Sequence, residues 1–169
     1  MSNSEDVGLQ YSPVSKEPGE EAKGSLSYLT YKLGGETYGT PLTHISNVIK
    51  IPKLKPIPSI ESFFKGVMNL RGQIISVIDL REKMGIKTEH SENTLVFIVR
   101  DESGALGFIV DSAESVISIQ DNDIERPISA NLRIPTQYYL GIAKHEESLI
   151  IILNLQALAA ELLKSTSSQ

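Results

Sequence analysis

Between Leu26 and Leu163 the apolar residues come in short bursts, and their spacing predicts strands more often than helices. From Leu26 to Leu33 the chain is rich in aromatic and β-prone residues. Gly34, Gly35 and Glu36 then turn it into Thr37, Tyr38 and Gly39, which predicts a hairpin. Thr40 and Pro41 suit a helix N-cap and first helical position, with Leu42, Ile45, Val48 and Ile49 on one face, so a short amphipathic helix is expected to end at Ile49. Pro52, Pro56 and Pro58 make the next stretch extended and keep it out of a sheet centre. Ser59 to Lys65 is expected to form one or two helical turns stopped at Gly66.

Gly66 to Ile78 predicts two strands hinged at Arg71 and Gly72, followed by a short helix capped by Asp79, with Glu82 in its first turn and Gly85 past its end. Thr94 to Arg100 and Leu106 to Val110 predict a second hairpin around Ser103 and Gly104. Asp111 and Glu114 form a capping-box pattern before Ala113, Val116 and Ile117, which predicts another helix. Leu149 to Leu155 is a strongly apolar strand, and Gln156 to Lys164 is a C-terminal helix with Leu158, Leu162 and Leu163 on one face. About ten strands and four or five short helices are expected.

The pattern repeats. An offset of 68 pairs Gly39 with Gly107, Val48 with Val116 and Ile49 with Ile117. An offset of 75 pairs Gly66 with Gly141, Ile74 with Leu149, Val77 with Ile152 and Leu80 with Leu155. Two copies of about five short strands each suit a pair of small closed barrels, because closure removes exposed edges.

Composition narrows the function. The net charge of -5 and the absence of a basic stripe argue against nucleic-acid binding. No cysteine is present, which removes disulfides, thiolate nucleophiles and cysteine metal sites and implies a reducing compartment. No apolar run approaches the roughly 18 residues of a membrane span, so a cytoplasmic protein without membrane insertion is expected. The stretch from Met1 to Lys23 is dominated by Ser, Glu, Gly and Pro. Residues 1–25 are therefore assigned to a disordered polar tail, 26–164 to the folded domain and 165–169 to a flexible C-terminus.

Reactive chemistry is sparse. His44, His90 and His145 stand far apart in the chain without carboxylates at metal-site spacing, and no phosphate-binding glycine motif or nucleophile elbow is present. Neither a catalytic residue, a metal site nor a cofactor is assigned, and an enzyme that uses Asp79 with His44 is the weaker alternative to a binding protein.

The segment GVMNLRGQIISVIDLR, Gly66 to Arg81, closely resembles the signature of CheW-like domains, a Gly-Val-x-Asn-Leu-Arg-Gly turn running into a strand that ends Val-x-Asp-Leu-Arg. Flanking segments continue the resemblance in order over about Leu26 to Lys164. It implies a mainly β fold of two intertwined five-stranded Src-homology-type β-barrels with short helices and a C-terminal helix. It also implies a non-enzymatic adaptor that couples methyl-accepting chemotaxis receptors to the regulatory domain of the histidine kinase CheA. The alternative within the family is an adaptor of a non-flagellar pathway for surface motility or development.

The family's receptor- and partner-facing positions fall on Ile45, Val48, Arg71, Leu95, Ala113 and Val116. For the apolar members, groove lining and ordinary core packing are both open. For Arg71, a partner's carboxylate competes with an internal salt bridge or a carbonyl clamp. Asn47, Ser76 and Asn154 depart from the family's frequent Glu, Pro and Asp.

Overall fold

Strands that are apolar on both faces must be covered on both faces, and three separate apolar clusters do this. The computed structural model describes residues 24–59, 61–87, 89–126 and 135–167. Residues 1–23 of the expected tail and the last two residues lie outside that range, and Ser25, placed in the tail, is the first residue of β1. The elements are β1 (Ser25–Leu33), β2 (Glu36–Pro41), β3 (Ile45–Lys50), β4 (Phe64–Leu70), β5 (Gln73–Asp79) and α1 (Leu80–Lys83) in the first copy. The second copy holds β6 (Leu95–Asp101), β7 (Gly104–Val110), β8 (Ser112–Gln120), β9 (Ile124–Glu125), β10 (Tyr139–His145), β11 (Ser148–Leu153) and α2 (Leu155–Ser167). The protein is mainly β, and α2 runs three residues past the expected Lys164.

The copies exchange hairpins. One sheet has the order β8-β1-β2-β11-β10-β9 and the other β3-β6-β7-β5-β4, so β1–β2 completes the second copy's sheet and β6–β7 completes the first's. Both sheets are antiparallel except for one central parallel pair, β2 with β11 and β5 with β7. A three-residue 3-10 turn, Asp121–Asp123, carries the chain from β8 at one sheet edge to β9 at the other. In the other sheet Lys55, five residues after β3, bridges to Val67 of β4. Each sheet thus curls until one stretch of chain joins its two edges.

Side-chain alternation distributes the clusters. On β6, Val96 and Ile98 point into the five-stranded sheet's interior, while Leu95, Phe97 and Val99 point to the cluster between the sheets. On β11, Ile150 and Ile152 fill the six-stranded sheet, and Leu153 faces the shared cluster. Every large side chain so buried stabilises the fold by about 1.5–3 kcal/mol.

The repeat inferred from the matched glycines is present. In the parallel pairs Ile152 faces Gly39 and Val77 faces Gly107, positions equivalent under the two offsets. A Cβ on Gly39 would lie 3.1 Å from Ile152 Cδ1, and one on Gly107 would lie 3.3 Å from Val77 Cγ2 and 2.8 Å from Val96 Cγ1. Gly66 and Gly141 have φ of 135° and 147°, and the register shifts beside each.

Two expected helices are strands for most of their length, and a third gives way to β4 at Phe64. The helix expected over Pro41 to Ile49 is only a 3-10 turn at Leu42–His44, followed by β3, which pairs with β6. Ile45, Val48 and Ile49 have helical spacing, but a register shift between Ile45 and Asn47 lets Ile45 and Val48 face one cluster while Ile49 faces another, and the β-branched side chains go to the sheet that offers them a partner. Thr40 does not cap a helix; its hydroxyl is buried in β2 with the Tyr31 hydroxyl at 2.8 Å and donates to Leu153 O at 3.1 Å. The capping-box stretch after Asp111 is β8, antiparallel to β1. Phe64 and Lys65 belong to β4, and Gly66 is a mid-strand irregularity rather than a helix stop.

Gly66 and Gly72 separate conformational strain from steric conflict. A Cβ on Gly66 would lie 2.3 Å from Lys55 O, whereas one on Gly72 would meet nothing within 4 Å. Gly72→Ala is expected to cost about 1 kcal/mol in urea unfolding and Gly66→Ala about 3 kcal/mol. Equal costs would show that the Lys55 strand moves away freely.

Candidate functional site

Five of the six partner-binding candidates belong to one apolar cluster. Ile45 and Val48 on β3 and Leu95 on β6 are each 5% exposed and lie inside the cluster between the sheets. Ala113 and Val116 on β8 are half-buried and pack against it. Val48 pairs with Phe97, and Val116 with Leu29. β3 and β8 are edge strands of their sheets, and of the two only β8 carries cluster residues that keep some exposure. Ile45, Val48 and Leu95 are fixed between the sheets, while Ala113 and Val116 remain half-exposed.

Arg71 is not part of this cluster. It occupies the tip of the β4–β5 hairpin with φ of 53°, followed by Gly72 at 86°, the two left-handed residues of a type I′ turn. Asn69 Oδ1 holds the turn by accepting from Gly72 N at 2.9 Å. Arg71 is exposed and has no hydrogen bond or ion pair among the described residues, so neither an internal salt bridge nor a carbonyl clamp accounts for it there.

The residue that sequence reasoning passed over is Arg81. It is 1% exposed, the largest fully buried side chain, and carries a full charge. Asp79, the α1 N-cap, takes Arg81 in bidentate fashion, with Nε to Oδ1 at 2.9 Å and Nη2 to Oδ2 at 2.8 Å. The same carboxylate also accepts from the Arg81 backbone N–H at 2.9 Å. Arg81 Nη1 then donates to Asp111 Oδ1 at 2.8 Å, and Asp111 Oδ2 accepts from Gly34 N at 2.7 Å. Nη2 meets His90 Nδ1 at 3.0 Å. One guanidinium therefore ties α1 to the β7–β8 corner and, through Asp111, to the β1–β2 turn.

Burial pushes the Asp79 carboxyl upward, but the Arg81 hydrogen bonds and charge outweigh it and hold the group below its ordinary value. The same contacts raise Arg81 against its own desolvation. The Asp79 carboxylate is committed to Arg81 and to the α1 N-terminus, which speaks against the Asp79–His44 alternative. His44 keeps a buried Nδ1 without a partner, and burial pushes its pKa down. Among the described residues no cluster of three or more His, Asp or Glu side chains is placed to hold a metal ion. No described helix is long and apolar enough to cross a membrane.

Two curled, strand-exchanged sheets with an apolar seam and their buried charges tied up in a structural bridge define a binding module, which acts through its surfaces. The CheW-like domain model matches residues 27–162, and the chain belongs to that family. The chemotaxis protein CheW of Helicobacter pylori is 29% identical over 138 residues, covering 81% of this chain and 83% of its own. The CheW of Klebsiella aerogenes is 29% identical over 146 residues, covering 86% and 87%. The crystal structure of the scaffolding protein TtCheW from Thermoanaerobacter tengcongensis superposes with a TM-score of 0.72 at 35% identity, covering 79% of this chain and 91% of that one.

Removing one partner of the buried bridge strands the other charge. Arg81→Met is expected to cost about 3–5 kcal/mol in urea unfolding. The bridge also sets an acid limit. Asp79 is depressed in the folded state, so its stabilisation is complete above the ordinary aspartate value of 3.8 and is lost as pH falls through the lower folded value. Stability measured from pH 6 downward should fall in that window, and Asp79→Asn should flatten the fall while lowering stability near neutral pH. An unchanged acid limb in Asp79→Asn would assign acid sensitivity to other groups.

Proposed function

We propose that this protein is a non-enzymatic cytoplasmic adaptor that couples methyl-accepting chemotaxis receptors to the histidine kinase CheA. The observation that carries the reading is family membership over nearly the whole folded domain, combined with an apolar seam that keeps exposure along the edge strand β8. A receptor's helical hairpin offers an apolar helix face, and such faces dock into apolar grooves. Ala113 and Val116 supply the accessible wall, and Ile45, Val48 and Leu95 supply the rigid floor behind it. Arg71, exposed and without an internal partner, is available to a carboxylate on the receptor or the kinase.

Coupling needs two partners held at once, so kinase and receptor occupy different surfaces. The two copies of the repeat provide similar but non-identical sheets for this purpose. The regulatory domain of the kinase would meet a sheet rather than the seam. A substitution in the seam therefore affects the receptor first.

The test is a paired measurement of urea unfolding and receptor-fragment titration. Val116→Asp puts a charge on the half-buried wall and is expected to weaken receptor binding at least about tenfold, near 1.4 kcal/mol. Arg71→Ala should change stability by less than about 1 kcal/mol and weaken the complex about thirtyfold. Arg71→Lys should recover only part of that, because an ammonium lacks the bidentate fork. Unchanged affinity in both Val116→Asp and Arg71→Ala, in folded protein, would remove β8 and the hairpin tip from the receptor site.

A further inference from the structure

One end of the six-stranded sheet encloses a cavity of about 200 Å³ beside the β10–β11 hairpin. It has room for roughly seven waters at their liquid volume, or for a solute of about as many non-hydrogen atoms. Ile150, from the second copy's interior cluster, and Ile117, packed against that cluster, give it an apolar floor. Ser115 and Ile117 reach it from the face of β8 opposite Val116, so it lies apart from the seam.

The first copy shows that the fold does not require polar side chains at this end. Thr30 pairs with Gly39 and Ser115, and in the same register Ile98 pairs with Gly107 and Asn47. Under the two offsets Thr37 corresponds to Ala105 and His145 to Leu70. Ile98 and Ala105 are buried in the first copy's interior cluster, and Leu70 packs against it. A buried hydroxyl costs free energy unless it is hydrogen-bonded, so packing alone favours the first copy's residues. Thr30, 3% exposed, offsets that cost by donating to Ser115 O and accepting from Ser115 N, both at 3.1 Å.

The groups around the cavity suit a solute that carries both charges. Lys32 Nζ donates to Thr37 Oγ1 at 2.8 Å, which turns the Thr37 proton toward another acceptor. An ammonium and a hydroxyl donor side by side match a carboxylate. Glu114 stands 3.9 Å from Lys32 and Glu146 3.8 Å from His145, against 2.8 Å for the contacts of the Arg81 bridge. At that separation Glu114 keeps its lone pairs for an ammonium, and the two glutamates together disfavour a plain anion. In an α-amino acid the two charged groups are neighbours, as Lys32 and Glu114 are. We propose that this cavity binds a small zwitterion of the α-amino-acid class, its carboxylate on Lys32 and Thr37 and its ammonium on Glu114.

The experiment is a titration of the isotope-labelled full chain with glycine, L-alanine and L-serine at constant pH and ionic strength, read from backbone amide shifts. Acetate and ethylammonium, each with one of the two charges, are the controls. Saturable shifts are expected at residues 30–37, 114–117 and 145–150, with dissociation constants in roughly the millimolar range. Neither control should saturate. Lys32→Met and Glu114→Gln should each weaken binding at least about tenfold. The double variant Thr37→Ala with His145→Leu installs the first copy's residues. It should abolish the shifts while leaving the unfolding midpoint in place, and it carries the test should a charge variant fail to fold. No saturable shift up to about 100 mM of any of the three amino acids, a control that binds as tightly as they do, or a folded variant that binds like wild type would each overturn the proposal.

Discussion

A strand that is apolar on both faces cannot border water on either side. Residues 95–99, 105–110 and 150–153 are such strands, and their demand for cover organises this molecule. Curling each sheet covers one face, and stacking the curled sheets covers the other. The result is one cluster inside each sheet and a third shared between them. Neither sheet could stand alone, because the residues it turns toward its neighbour would be exposed, and hairpin exchange makes the same demand covalently.

Against that apolar background the Arg81 bridge is a costly choice. Burying a guanidinium and a carboxylate loses hydration that the pair recovers only through good geometry and complete hydrogen bonding. Here both conditions hold, with bidentate contact to Asp79 and a further bond to Asp111. The bridge joins elements from both copies at one point. The second copy solves the same local problem without a charge: Asn154, equivalent to Asp79, caps α2 by accepting from Ala157 N at 2.9 Å. The departure from aspartate at Asn154 is consistent with the absence of an arginine at Gln156, the counterpart of Arg81.

The division of labour among the candidate residues follows from depth. Ile45, Val48 and Leu95 lie where substitution would disturb the fold before any partner noticed. Ala113 and Val116 share the same cluster but retain surface, and Arg71 is wholly on the outside. The arrangement is packed at its base and open at its rim, which suits the binding role proposed for it.

The sequence by itself determined the hairpins, the turn glycines, the two-copy repeat and the family signature, since all of these rest on local chemistry or on matched spacing. It misled at the 41–49 and 111–117 stretches, where apolar residues at helical spacing are accommodated in strands through register shifts in the pairing. The tertiary structure decided them as strands because β6 and β1 offered open edges. The sequence also could not reveal that Asp111, read as a helix cap, serves a guanidinium 30 residues away. That contact, the hairpin exchange and the split between floor and rim depend on which distant faces meet. Local pattern says that a face is apolar, and only packing says what lies against it.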